Sequence, residues 1–174
     1  MGGSIAIWLI WAVLLFWSVG AYNRLVKLRA QAKTSFMQLH EQLLLYPALV
    51  RGSFLALNNE GPAAQVGLVG AAEQYASSLQ IAQVQCLDVP AIRALLTAHE
   101  ILFASWSRLR AEPPDLAGEL VPEALELQWQ KIEQQVERPR EEFNACVNRY
   151  NLAIAEFPAH WLAGLFRFKP AQNF

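Results

Sequence analysis

The feature that most constrains this chain is a long uncharged segment at its start. No charged side chain precedes Arg24, and residues 5–21, IAIWLIWAVLLFWSVGA, are almost entirely apolar. With its flanks the segment reaches about 20 residues, which as a helix spans a bilayer core of about 30 Å. The sequence therefore predicts one N-terminal transmembrane helix. Its anchoring residues are predicted to be Ile5, Trp8, Trp11, Leu15 and Trp17, the tryptophans lying in an interface belt or a helix–helix contact.

A cleaved signal peptide is the alternative interpretation of the same segment. The small residues Val19-Gly20-Ala21 resemble a cleavage site. However, a signal peptide begins with a basic region, and Met-Gly-Gly-Ser carries no basic side chain. The helical pattern also continues past Ala21, so the segment is expected to remain as an anchor.

Four basic residues follow the anchor directly: Arg24, Lys27, Arg29 and Lys33. By the positive-inside rule this flank stays in the cytoplasm and the short N-terminus faces out. The alternative is that these are ordinary solvated positions on a helix. We expect a single-pass membrane protein with a cytoplasmic domain.

The rest of the chain has the apolar spacing of packed helices. After Tyr22, apolar residues recur at steps of three and four, which is typical of a bundle seam. The fold class is predicted to be all-α: a transmembrane helix continuous with an up-and-down antiparallel four-helix bundle. The predicted seams are Leu25, Leu28, Ala32, Phe36, Leu39, Leu43, Tyr46 and Val50; then Leu68, Ala72, Tyr75, Leu79 and Ala82; then Val89, Ile92, Leu96, His99, Phe103 and Trp106; and finally Leu125, Trp129, Ile132, Val136, Phe143, Cys146, Tyr150, Ala153 and Phe157.

Prolines and polar turns divide these helices. Pro47 is expected to bend the first, and residues 58–62 (NNEGP) to end it. Pro139 predicts a kink or short break in the last. The predicted division is an anchor at 1–23, a bundle at 24–157 and an aromatic tail at 158–174.

Three stretches together resemble the LemA family of bacterial membrane proteins. The first is the segment YNRLVKLR at 22–29, directly after the anchor, and the second is QLLLYPALV at 42–50. The third is REEFN at 140–144, followed by NRYN at 148–151 and Phe157-Pro158, which is similar to the family's R-x-x-YN-x-x-V-x-x-YN-x-x-I-x-x-FP ending. Leu44-Leu45 and Ala48 depart from the family's polar residues, so the chain resembles a divergent member. The resemblance implies a cytoplasmic-membrane anchor and a helical bundle, and implies no enzyme activity.

Known catalytic and metal-binding motifs do not match the sequence. His40-Glu41 and His99-Glu100 each lack the second histidine of a zinc-protease helix, because Leu44 and Phe103 stand at that position. His99 is interpreted as a satisfied core histidine. Cys86 and Cys146 are interpreted as small buried apolar residues, although a disulfide is possible. We expect no enzyme, no metal site and no cofactor.

Two groups of residues stand out as candidate sites. Tyr22-Asn23 and Tyr150-Asn151 are expected to meet at the membrane-proximal end, where the asparagines would join helices by hydrogen bonds. The tail combines aromatic and basic residues, which suits the membrane interface, or else it covers the open end of the bundle or contacts another subunit. The membrane-proximal polar set is Tyr22, Asn23, Arg24, Arg140, Asn144, Tyr150 and Asn151, and the interfacial tail set is Phe157, Pro158, Trp161, Phe166 and Phe168.

The function expected from these features is that of a non-enzymatic scaffold or interaction protein. The alternative is a regulator of a membrane protease or of a signalling histidine kinase. The expected partners are membrane lipid and either a membrane protein or further copies of the chain. Nucleic acid is not expected, because 14 basic and 15 acidic residues leave a net charge of −1.

Overall fold

A computed structural model gives the architecture of the chain. It describes residues 2–54, 62–113, 121–156 and 159–174, without the side chains of residues 2–7, 10, 159, 161 and 162. The described residues form six helices and no strand. The predicted all-α class is therefore confirmed. The segments at 55–61 and 114–120 lie outside the described residues, and the first of them contains residues 58–61 of the predicted turn.

Helix α1 runs without interruption through Gly2–Leu43. Its two halves have opposite environments. From Leu25 onward the predicted seam is buried, except for the half-buried Leu28, and Leu25, Ala32, Phe36, Leu39 and Leu43 are each at most 1% exposed. Before Leu25 the described apolar side chains are exposed, except for the half-buried Ala21. Among the described residues, no helix is both long enough and apolar enough to cross a membrane.

The chain turns at Leu44 and continues as helix α2, Leu45–Phe54. Pro47 explains the position of the interruption. Its ring lacks an N–H and clashes with the carbonyl four residues earlier, at Leu43, where α1 ends. The hydrogen bonds from the N–H of Leu44 to His40 O and from the N–H of Ala48 to Leu44 O keep the two helices in close succession. The disturbance predicted from Pro47 therefore falls one turn before the proline.

Helices α3, Ala63–Val84, and α4, Val89–Ala111, form a hairpin with a short turn at Gln85–Asp88. Pro62 precedes the first residue of α3, and Pro90 lies in the first turn of α4, where a missing N–H costs nothing. Asp88 is the N-cap residue of α4, although its side chain makes no capping hydrogen bond.

Helix α5 spans Glu123–Ala155 and continues through Pro139. The short break considered for Pro139 is not observed. The helix has buried residues on both sides of the proline, at Val136 and Phe143, so packing supports the helical conformation of both halves. A short helix α6, Ala159–Leu165, follows, which the sequence analysis did not predict.

The second half of α1, from Arg24 onward, packs side by side with α5 and runs antiparallel to it. Arg24 pairs with Glu156 and Phe36 with Phe143, and Tyr46 at the start of α2 continues the series against Trp129, so positions rise along α1 and α2 as they fall along α5. Helix α3 packs against α4 and α2. One continuous apolar core joins the helices and is the main source of stability in such a bundle.

The buried face of α4 differs in part from the prediction. Ile92 and Trp106 are buried as predicted, but Leu95, Ala98 and Leu102 are buried in place of Leu96, His99 and Phe103, which are half-buried. Apolar residues surround this helix on more than one face, so its spacing allows two registers. On α5 the same correction applies to Cys146, which is half-buried while Val147 is fully buried. Both cysteines are free thiols.

Candidate functional site: the C-terminal segment and its basic cleft

Residues 166–174, here called the C-terminal segment, leave α6 and run back along α5. The segment has no helical hydrogen bonds of its own beyond the end of α6, so its backbone polar groups need other partners. Asparagine side chains of α5 supply them.

Asn151 and Asn144 each hold one residue of the segment by two hydrogen bonds. Asn151 Nδ2 donates to the carbonyl of Ala171 at 2.8 Å, and the N–H of Ala171 donates to Asn151 Oδ1 at 2.9 Å. Asn144 repeats the arrangement with Phe174, at 2.7 and 2.8 Å. A side-chain amide has the same donor and acceptor as a peptide group, so each asparagine pairs like a residue of a neighbouring strand. The seven-residue spacing of the two asparagines places them on one face of α5.

Tyr150 and Asn148 add to this attachment. The hydroxyl of Tyr150 donates to the carbonyl of Lys169 at 3.1 Å, and Asn173 Nδ2 donates to Asn148 Oδ1 at 3.0 Å. Burial raises the pKa of Tyr150, while the nearby cation of Arg29 opposes the rise. The tyrosine therefore stays a neutral donor at ordinary pH.

The beginning of the C-terminal segment packs against α1. The ring of Tyr22 lies 4.8 Å from that of Phe166 and 6.0 Å from that of Phe168, measured between centroids. The guanidinium of Arg29 lies over the Phe168 ring, 5.9 Å from its centroid. Tyr22 and Tyr150 thus meet the same short segment from opposite helices, which agrees with the predicted convergence. The partner of Asn151, however, is the backbone of Ala171 and not helix α1.

Arg167 has a left-handed backbone conformation, with φ = 55°. It follows α6, where the N–H of Phe168 donates to Ala163 O and the N–H of Arg167 donates to Gly164 O. These two bonds define a Schellman ending, whose left-handed position is most often glycine. A larger residue there costs about 1 kcal/mol. No residue pattern around Arg167 indicates this strain.

A cleft of about 460 Å³ opens between α1, the α3–α4 turn, Tyr150 and the C-terminal segment. Its charged lining consists of four cations and one carboxylate: Arg29, Lys33, Arg167, Lys169 and Asp88. Cys86 also lines it, and burial raises the pKa of the Cys86 thiol while Lys33 and Arg29 oppose the rise. We call this feature the basic cleft.

A second cleft of about 430 Å³ lies farther along α5, beside Arg140 and Phe174. His99 faces it, surrounded by the rings of Tyr46, Tyr75, Phe103 and Phe174. Burial, with a smaller effect from Arg140, lowers the pKa of His99 to about 4. Its Nδ1 is buried without a hydrogen-bond partner among the described residues. The prediction of a satisfied core histidine was therefore wrong for this atom.

The other predicted site residues are placed as follows. Trp8, Trp11, Leu15 and Trp17 are exposed on α1, and the side chain of Ile5 lies outside the described residues. Arg24 forms an exposed ion pair with Glu156 at 3.2 Å, and Asn23 is exposed beside it. Phe157, Pro158 and the side chain of Trp161 lie outside the described residues.

The structure separates two members of the predicted membrane-proximal set from the rest. Asn144 is adjacent in sequence to Phe143, which contacts Phe36, and Phe36 is 14 residues along α1 from Tyr22. That separation corresponds to about 21 Å of helix. Arg140 lies one turn farther from Tyr22 still. Arg140 and Asn144 therefore belong with Phe174 and the second cleft.

Replacing Asn151 with alanine is expected to release the C-terminal segment. It removes both hydrogen bonds to Ala171, at a cost of about 1–3 kcal/mol in unfolding free energy. Urea denaturation measures the loss, and hydrogen exchange at the Ala171 amide shows whether the segment detaches. The matched control is Asn148→Ala, which removes only an exposed side-chain contact and is expected to change little. Equal exchange at Ala171 in both variants would contradict the assigned role of Asn151.

No cluster of histidine, cysteine or carboxylate side chains in the described ranges is arranged to hold a metal ion. The site consists of a cleft lined by four cations and an extended C-terminal segment hydrogen-bonded to α5. The molecule therefore belongs to the class of all-helical bundles, with its C-terminal segment packed against one face of the bundle.

A family model described as the LemA family matches residues 88–174, half of the chain. The chain therefore belongs to the LemA family, and the resemblance inferred from the sequence is confirmed. The matched half contains α4, α5, α6 and the C-terminal segment, including both asparagines that hold it. No curated protein and no solved structure matches the chain.

Proposed function

We propose that this protein is a membrane-anchored, non-enzymatic scaffold or interaction protein of the bacterial cytoplasmic membrane. The observation that carries the proposal is the contrast between the two halves of α1. Trp8, Trp11 and Leu15 are 61–76% exposed, and Phe16 is 85% exposed, on the same helix whose later residues form the core. Large apolar side chains exposed together indicate a surface that contacts lipid or protein.

The proposed anchor comprises residues 5–21, with the bundle in the cytoplasm and the N-terminus outside. Membership of the LemA family supports association with the membrane, and the basic residues that follow the anchor favour this orientation. The tail set then lies near the bilayer surface, because Phe166 and Phe168 pack against Tyr22 at the base of the proposed anchor. Phe166 is half exposed, as expected of a residue that meets the interface.

The bundle surface supports a binding role in addition to anchoring. Ile81 and Val84 on α3, and Leu127 and Leu152 on α5, are 55–81% exposed. Such side chains on packed helices are available to a membrane-protein partner or to another copy of the chain. This distribution supports a scaffold better than an enzyme, since binding requires only a presented surface.

The test is a two-stage experiment on the full-length chain. Membranes are first washed with alkaline carbonate, and the protein is expected to remain in them at full mass. Release by the wash, or a mature N-terminus at Tyr22, would refute the anchor. A variant with Trp8, Trp11 and Leu15 replaced by serine is the comparison, and it is expected to be released because its apolar segment is interrupted.

In the second stage the retained protein is solubilised in mild detergent and purified with its bound partners. Co-purification of a specific membrane protein, or a mass that is a multiple of 19.5 kDa, supports the scaffold role. A protease or a histidine kinase as the partner would favour the regulator instead. A monomer that retains no partner would contradict both.

A further inference from the structure

We infer that the basic cleft is a binding site for a phosphate-bearing anion. Its four cationic side chains come from two separated parts of the chain, Arg29 and Lys33 on α1 and Arg167 and Lys169 on the C-terminal segment. Against them stands one carboxylate, Asp88, which leaves a net charge of about +3. Concentrating like charges is unfavourable unless an anion offsets it.

Neighbouring acids do not neutralise the cleft. Within the described residues the ion pairs are formed by Arg24, Arg110 and Arg138, and none involves a cation of the cleft. The positive charge of the cleft also affects Cys86 and Tyr150. Burial raises the pKa of each group, and Arg29 opposes that rise. The cations therefore act on the interior of the cleft.

Two contacts order part of this lining. The Phe168 ring fixes Arg29 through their cation–π contact. Arg167 and Lys169 flank Phe168, and the carbonyl of Lys169 is held by the Tyr150 hydroxyl. A site arranged before its ligand arrives loses less entropy on binding.

Arg167 is the most informative residue of the cleft. It occupies a left-handed position at which glycine is favoured, yet it carries a long cationic side chain into the lining. The strained backbone is explained if the guanidinium has a ligand. Arginine suits phosphate oxygens because its planar group makes two parallel hydrogen bonds.

The size and position of the cleft fit a phosphate on a small molecule or on a lipid headgroup. Its volume lies within the range of roughly 300–1,000 Å³ found for small-molecule sites. Arg29 lies eight residues after Ala21, about 12 Å along the helix, so its side chain is within reach of a headgroup if residues 5–21 insert. The site itself does not depend on that insertion.

The test titrates the full-length protein in a non-ionic detergent with two probes and measures the heat of binding. One probe is inorganic phosphate, and the other is phosphatidic acid in mixed micelles, with phosphatidylcholine micelles as the blank. Saturable binding of at least one probe is expected. Phosphatidic acid binding at least tenfold more tightly identifies a lipid headgroup site, and any smaller preference identifies a site for soluble phosphates.

The decisive variant is Arg167→Gly. It removes the cation but retains the turn, so the melting temperature is expected to stay the same or rise. Affinity for the better probe is expected to fall by about tenfold or more. Lys131→Gln, which removes one charge from an exposed position on α5, is the matched control and is expected to bind normally. Absence of saturable binding, or equal losses in both variants, would overturn the inference.

Discussion

Replacing Phe36 with alanine is expected to lower the unfolding free energy of the bundle by about 3–5 kcal/mol. The side chain is fully buried in the middle of α1 and packs edge-on against Phe143 of α5, with 5.2 Å between ring centroids. Its removal leaves a cavity in the contact between α1 and α5. Because whole domains are stable by about 5–15 kcal/mol, the loss is a large fraction of the total.

The measurement for Phe36 is urea denaturation followed by circular dichroism in a non-ionic detergent. The neighbouring residue provides the control, since Met37 is 38% exposed and Met37→Ala is expected to change stability by less than about 0.5 kcal/mol. Ile132→Ala on α5 tests the other helix. Ile132 is 7% exposed, and its loss is expected to cost about 2 kcal/mol. Equal midpoints for Phe36→Ala and Met37→Ala would show that the assigned face of α1 is wrong.

Acidification from pH 6.5 to pH 4 is expected to destabilise the bundle through His99. Burial, and secondarily Arg140, hold the pKa of His99 at about 4 in the folded protein, against 6.5 in an exposed histidine. Below pH 6.5 the unfolded chain therefore takes up a proton that the folded chain does not. The free energy of unfolding is therefore unaffected by protonation of His99 above pH 6.5. Between pH 6.5 and about pH 4 it falls progressively, by up to about 3 kcal/mol.

The comparison for His99 uses denaturation midpoints at several pH values for the natural protein and for His99→Phe. The variant is expected to depend less on pH in this window, because no proton is taken up at that position. Some dependence is expected to remain, since burial also lowers the pKa of His40. His160→Phe, at an exposed position on α6, is the control and is expected to retain the full dependence. Identical pH profiles for His99→Phe and the natural protein would refute the buried neutral state of His99.

The sequence predicted the helices well because their seams repeat over long distances. On α1 and α2 the spacing from Leu25 to Val50 predicted the buried face, and Pro47 predicted the region of the interruption. On α4 the same method predicted only part of the buried face, because Leu95 and Leu96, like Leu102 and Phe103, are adjacent apolar residues. The spacing of apolar residues cannot decide which of two adjacent ones is buried, whereas packing against α3 decides it.

The candidate site was less predictable because it depends on contacts between distant residues. The family resemblance singled out Asn144 and Asn151, and the structure gives them a shared role. Their partners, Phe174 and Ala171, are 30 and 20 residues away and were not identifiable by spacing. The basic cleft likewise joins α1 to a segment more than 130 residues later, and nothing local to Arg167 indicates its left-handed conformation.

If the proposed anchor inserts, the unbroken course of α1 makes the direction of the bundle depend on the tilt of residues 5–21 in the bilayer. Leu43 lies 22 residues, about 33 Å, beyond Ala21 along one helix. If residues 5–21 insert, a change in tilt of about 10°, well within the range that bilayer thickness imposes, moves Leu43 sideways by about 6 Å. Because α5 packs against α1, the two helices would then tilt as one rigid unit. The reach of the bundle over the membrane surface would then be set by membrane thickness.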